Sequence, residues 1–182
     1  MRPHHLILLT IVFSFANKEF LSQNTKKDFT KYVNPFVGTS KMGHVFPGAT
    51  VPFGMVQLSP QTNFEVMFDE DGAYNRKTYE YCAGYQYRDT TIIGFSHTNF
   101  SGTGHSDLGD LLVMPTIGPL ILEPIKSSST KKGYYSTFSH DKENASPGYY
   151  EVDLSSYGIK AELTASERVG YHQYTFPKSH DA

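Results

Sequence analysis

"YYEVDLSSYGIKAELTASERVGYHQYTF", residues 149–176, decides the fold class. In its first run Tyr150, Val152 and Leu154 fall on one face, while Tyr149, Glu151 and Asp153 fall on the other. The short connector "SSYG" follows, and then Ile159, Ala161 and Leu163 alternate with Lys160, Glu162 and Thr164. A third run, 168–176, comes after a polar turn. Period-two alternation over short segments joined by tight turns is the pattern of half-buried strands, so these residues predict a three-stranded antiparallel meander.

The rest of the chain agrees in class. In "YVNPFVGTSKMGHVFPGATVPFGMVQLSP", residues 32–60, four glycines alternate with four prolines, which no helix tolerates, so turns joining short strands are expected. Residues 53–58 make the best strand within it, and "NFEVMFDEDGAYNRKTYE", residues 63–80, reads as a loop excursion. No stretch holds a sustained apolar stripe at helical spacing. Aromatic content of 14%, all Tyr and Phe, leans the same way. The expectation is an all-β protein, an antiparallel β-sandwich. The chain stops just after a strand, which leaves an edge without a neighbour, so the sandwich is expected to be incomplete at its C-terminus.

The first residues, "MRPHHLILLTIVFSFA", combine Arg2 with an apolar run from Leu6 to Phe15 and small residues at Ser14 and Ala16. This is the form of a secretory signal peptide over 1–16, with cleavage as late as about residue 23 as an alternative. The apolar run is too short for a stable membrane span, which needs roughly 20 residues. A secreted or periplasmic protein is expected, with a polar, lysine-rich flexible leader over 17–31. One cysteine, Cys82, allows no intrachain disulfide, so stability must come from core packing. A net charge of −2 offers no nucleic-acid footprint. Two sequons, Asn99-Phe100-Ser101 and Asn144-Ala145-Ser146, matter only in a host that glycosylates exported proteins.

Between two apolar runs, "GFSHTNFSGTGHSDLGDLLVMP", residues 94–115, gathers His97, His105, Asp107 and Asp110 with several glycines. Its spacing fits neither a P-loop nor a dinucleotide fingerprint. His44, His97 and His105 lack the tight spacing of a zinc site. Asp69, Asp71 and Glu80 match three EF-hand positions, but Gly72 stands too early for that loop. No Gly-x-Ser-x-Gly elbow supports a serine nucleophile. Asp107 and Asp110, three apart at a loop-strand junction, are more often turn-forming residues than a catalytic carboxylate pair.

Three longer strings carry a resemblance. "VNPFVGTSKMGHVFPGATVPFGMVQLSP", "YCAGYQYRDTTIIGFSHTNFSGTGHSDLGDLLVMPTIG" and "SHDKENASPGYYEVDLSSYGIKAELTASERVGYHQYTFP" resemble, in that order, successive segments of glycoside hydrolase family 92, the calcium-dependent exo-acting α-mannosidases. Together they cover most of the stretch from Tyr32 to Pro177. The resemblance implies that residues 32–182 are the N-terminal part of a β-sandwich domain, and that the catalytic (α/α)6 barrel is absent from this chain. It implies hydrolysis of terminal α-mannosides of glycans and glycoproteins with inversion, one carboxylic acid protonating the leaving oxygen and a second carboxylate activating water. Both carboxylates, and most ligands of a calcium cofactor, would lie on the barrel, so this fragment alone would be inactive. The implied partners are mannose-containing glycans and the protein's own C-terminal catalytic domain. The sandwich loops would help to shape the sugar pocket, and the residues so implicated are His44, Tyr81, His97, His105 and Asp107. Two departures stand out: Tyr79 and Tyr81 replace tryptophans common in relatives, and Asn99 replaces the second histidine of "SHTH". A non-catalytic carbohydrate-binding β-sandwich, or a fragment without function, is the alternative.

Overall fold

The computed structural model describes residues 27–65, 68, 70–102, 109–124 and 133–179. The chain is all-β and antiparallel. Strands β1 (Ser59–Gln61) and β3 (Gly94–Ser96) pair with each other, and β2 (Thr91–Ile92) pairs with β4 (Ser136–Thr137). A four-stranded sheet follows in sequential order: β5 (Glu143–Ser146), β6 (Tyr149–Leu154), β7 (Ile159–Ala165) and β8 (Gly170–Thr175). The expected meander is therefore present, extended by β5, which the sequence reading left out.

Register follows the alternation. Tyr150 lies opposite Leu163, Val152 opposite Ala161 and Leu154 opposite Ile159, and all six are buried. This face closes on Leu58, Tyr85, Ile92 and Phe95 from the earlier segments. The rings of Phe95 and Tyr150 meet across the two layers at 6.4 Å. A sandwich results because each layer has one apolar face, and each covers the other. On the outer face Glu151 sits directly opposite Glu162. Lys160 Nζ bridges them, 2.8 Å from Glu151 and 3.3 Å from Glu162, and the Tyr149 hydroxyl, 2.8 Å from Glu151 and 2.6 Å from Glu162, has one proton to share between them.

Residues 53–58 do not form the expected strand. Phe53 stands in the left-handed region at φ 60, and Gly54 N–H closes a turn on Val51 O. The next backbone donors then go to three different partners: Met55 to Glu167, Gln57 to His97 and Leu58 to Ala49. A strand needs one continuous partner, so pairing begins only at Ser59. The close Ala49–Leu58 bridge requires Gly48, where a Cβ would stand 1.8 Å from Leu58 O. The segment 63–80, read as a loop, carries a Phe68–Tyr74 bridge and one helical turn, α1 (Lys77–Glu80).

Candidate functional site

The polar stretch after β3 is pinned at both ends. Phe95 and Val113 exchange both backbone hydrogen bonds, His97 N–H donates to Asp110 O, and Gly109 N–H donates to Thr98 O. Thr98 Oγ1 and Asp110 tie the same neck through side chains. The connection from Asn99 to Leu108 therefore springs from a stapled base. His105 and Asp107 lie on it, outside the described residues.

His97 stands at that base and meets β8. Its Nδ1 is 2.7 Å from Leu111 O, and its Nε2 is 3.0 Å from Nε2 of His172, whose Nδ1 is 2.7 Å from the Tyr174 hydroxyl. A carbonyl can only accept, which fixes the protons in the neutral rings. His97 donates from Nδ1 and accepts at Nε2; His172 donates from Nε2 and accepts the Tyr174 O–H at Nδ1. Both nitrogens of His97 are thus committed within the protein. Burial first, and then His97 beside it, push the His172 imidazole down to about 4. Burial also pushes the Tyr174 phenol up to about 12.

His44 reaches the same loop from the other side. Its carbonyl accepts from Gly102 N–H at 2.6 Å, and its ring meets the Tyr79 edge at 5.0 Å. The residue is only 8% exposed, yet it holds a left-handed backbone at φ 50, and its Nε2 has no hydrogen-bond partner among the described residues. Strain and an unsatisfied buried nitrogen at one residue are both costly, and such costs concentrate at functional sites. Tyr81 lies apart from this pair, its hydroxyl donating to Asp89 at 3.2 Å. Burial, then the Asp89 carboxylate, raise the Tyr81 phenol, and burial raises the Asp89 carboxyl. Tyr85, a third aromatic of the same segment, is a core residue bonded to Glu143.

Beneath the loop lies a buried amide network that the sequence reading missed. Gln61 Nε2 donates to Ser96 Oγ and to Asn99 Oδ1, while Asn99 Nδ2 donates to Ser96 Oγ and Gln57 O. Asn99 is 3% exposed, so its sequon amide is inaccessible in the folded chain. Gln86 plays a similar part nearby, donating from Nε2 to Lys41 O and Glu80 O, which ties the His44 loop to α1. His172 and Tyr174 were missed because 75 residues separate His172 from His97. In the sequence they are ordinary strand residues.

Comparison with known proteins places this arrangement. The model of the glycosyl hydrolase family 92 N-terminal domain matches residues 32–182. A solved family GH92 α-mannosidase from Bacteroides thetaiotaomicron, BT3965, in complex with mannoimidazole, is 47% identical with a TM-score of 0.72, over 82% of this chain and 18% of that one. The GH92 glycosyl hydrolase ccman5 is 35% identical with a TM-score of 0.64, over 82% of this chain and 19% of its own. A protein of Arthroderma benhamiae named an uncharacterized secreted glycosidase is 30% identical over 82% of this chain and 18% of its own length. The chain thus spans less than a fifth of each relative, and it belongs to glycoside hydrolase family 92, whose N-terminal domain it carries.

Proposed function

We propose that this chain is the pocket-shaping N-terminal domain of an exported α-mannosidase, which removes terminal α-mannosides from glycans with inversion. The observation that carries the reading is its 47% identity, across nearly the whole sandwich, to an α-mannosidase solved with mannoimidazole. Export rests on the signal-like start of the sequence and on a relative named as secreted. No helix of the described residues is long and apolar enough to cross a membrane.

Within this reading the chain binds and positions. His44 is the side chain best placed to meet a sugar hydroxyl, because its buried Nε2 lacks a partner and its strained backbone is held by Gly102. His97 anchors the base of the loop that carries His105 and Asp107, which are the further candidates for sugar contact. Tyr81 and its Asp89 partner support the neighbouring segment. The acid and base of an inverting hydrolase stand about 6.5–9.5 Å apart to admit water, and in this proposal both are supplied by a catalytic domain beyond this chain.

Among the described residues no three His, Cys, Asp or Glu side chains converge, so no carboxylate cluster for calcium is formed there. Its ligands therefore belong, in this proposal, to residues outside that set, and no step here runs through it. The test is to express the complete coding frame and follow mannose release from α-mannosides by NMR. Release of the inverted anomer, abolished by a chelator and restored by calcium, is expected. A soluble product that binds mannosides without cleaving them would replace the proposal with a carbohydrate-binding role.

A further inference from the structure

The His97–His172 contact has the geometry of half a metal site. Their Nε2 atoms are 3.0 Å apart, and their ring centroids are only 4.8 Å apart at 31° between planes. Rings aligned end to end through these nitrogens would hold their centroids farther apart, so the contact is bent at the nitrogens, as two rings sharing one ion require. Two imidazole nitrogens each 2.0–2.1 Å from one ion lie about 2.9 Å apart at a right angle and about 3.3 Å apart at the tetrahedral angle. The observed separation sits near the right-angle value, which suits the tetragonal geometry of Cu²⁺ or Ni²⁺ better than tetrahedral zinc.

The outer partners suit the same purpose. A ligating histidine commonly gives its other ring N–H to a carbonyl or hydroxyl oxygen, which fixes tautomer and orientation. His97 already does so through Leu111 O, and His172 has the Tyr174 oxygen in reach of Nδ1. We propose that His97 and His172 together bind one borderline transition-metal dication, Cu²⁺ foremost, through their Nε2 atoms, with water completing the coordination. The proton balance is simple. The proton that His172 Nε2 shares with His97 moves to His172 Nδ1, Tyr174 turns from donor to acceptor, and no net proton is released. No third His, Cys, Asp or Glu converges here among the described residues, so these supply two ligands. Bound metal would tie the base of the 99–108 loop to β8. Imidazole is a borderline ligand and calcium a hard ion, so this site is chemically separate from a calcium site.

Copper(II) chloride alone is the probe, titrated into the full chain and read by electron paramagnetic resonance and thermal melting. One equivalent with hyperfine splitting from two nitrogens, together with a raised Tm, is expected. Tyr174→Phe should weaken binding by about 10-fold, within the range spanned by outer-shell partners, and His97→Gln and His172→Gln, which each remove a ligand, by about 100-fold or more. Independently of any variant, substoichiometric Cu²⁺ should broaden the imidazole ¹⁵N signals of His97 and His172 before those of His44 or His140. Equal binding by wild type and both glutamine variants, or broadening centred on other histidines, overturns the proposal.

Discussion

The Tyr85 hydroxyl lies 3.0 Å from each carboxylate oxygen of Glu143, joining the first layer of the sandwich to the start of β5. Tyr150 adds a hydroxyl at 2.7 Å, and His140 a ring nitrogen at 2.6 Å. Glu143 is buried, and burial followed by the Glu143 charge drives the phenols of Tyr85 and Tyr150 upward. A buried carboxylate is tolerated because its lone pairs are filled. Tyr85→Phe removes one donor without opening a cavity, and should cost about 1–3 kcal/mol of stability. Chemical denaturation measures this, and an unchanged midpoint would show that Tyr150 and His140 suffice.

The Glu151–Glu162 pair predicts a pH dependence. Lys160 and then Tyr149 hold Glu151 below its ordinary value of 4.5, and Tyr149 and then Lys160 do the same for Glu162. A depressed carboxylate stabilises the fold above its unfolded pKa, and that contribution is lost as pH falls through the folded value. Lys160→Met should therefore lower Tm at neutral pH, where like charges then face each other across β6 and β7. As pH falls below the ordinary value of 4.5 and on through the lowered folded values, the gap to wild type should close, as both glutamates become protonated. A gap as wide at pH 3 as at pH 7 would mean that the lysine acts through packing of its stem.

Gly84 holds a left-handed backbone at φ 76, and a Cβ there would stand 2.0 Å from Gln61 Oε1. Gln61 has little freedom to yield, since its amide is committed to Ser96 and Asn99. Gly84→Ala adds left-handed strain of about 1–2 kcal/mol to the displaced amide, so a loss above about 2 kcal/mol is expected. Asn99→Ala should relieve the steric part by freeing Gln61. A double variant no better than the sum of its two single changes would exclude that coupling.

His44→Ala separates function from folding. If His44 serves the sugar pocket, the change in the complete protein should cut mannoside turnover by 10-fold or more, while Tm changes little, because alanine keeps the Cβ and with it the left-handed strain, and the buried Nε2 that lacks a partner is removed. A matching fall in Tm with turnover intact would make His44 a packing residue beside Tyr79.

The strands of residues 149–175 were legible because alternation and turn spacing are local properties. β5 was not, because Glu143, Asn144 and Ser146 have little strand preference, and the edge of β6 recruits them. Residues 53–58 looked like a strand by hydrophobicity, yet Phe53 is 104% exposed in a left-handed turn, and polar Ser59 and Gln61 take the buried pairing instead. Of the candidate site, His44 and His97 were legible as polar residues set among apolar runs. Their partners were not. His172 and Gln61 meet their partners, and Asn99 meets Gln57 and Gln61, across tens of residues, which no spacing rule encodes.

The meander's pairings join neighbours in sequence, whereas β1 pairs with β3 and β2 with β4 over much longer separations, and the Tyr85–Glu143 contact that joins the layers spans 58 residues. Loop closure makes such distant pairings the slow ones. During synthesis Leu58, Ile92 and Phe95 leave the ribosome well before Tyr150, Val152 and Leu163 exist to cover them. The nascent chain thus carries its stickiest surface bare until the hairpins of β6, β7 and β8 close over it, and that interval is when a chaperone has most to do.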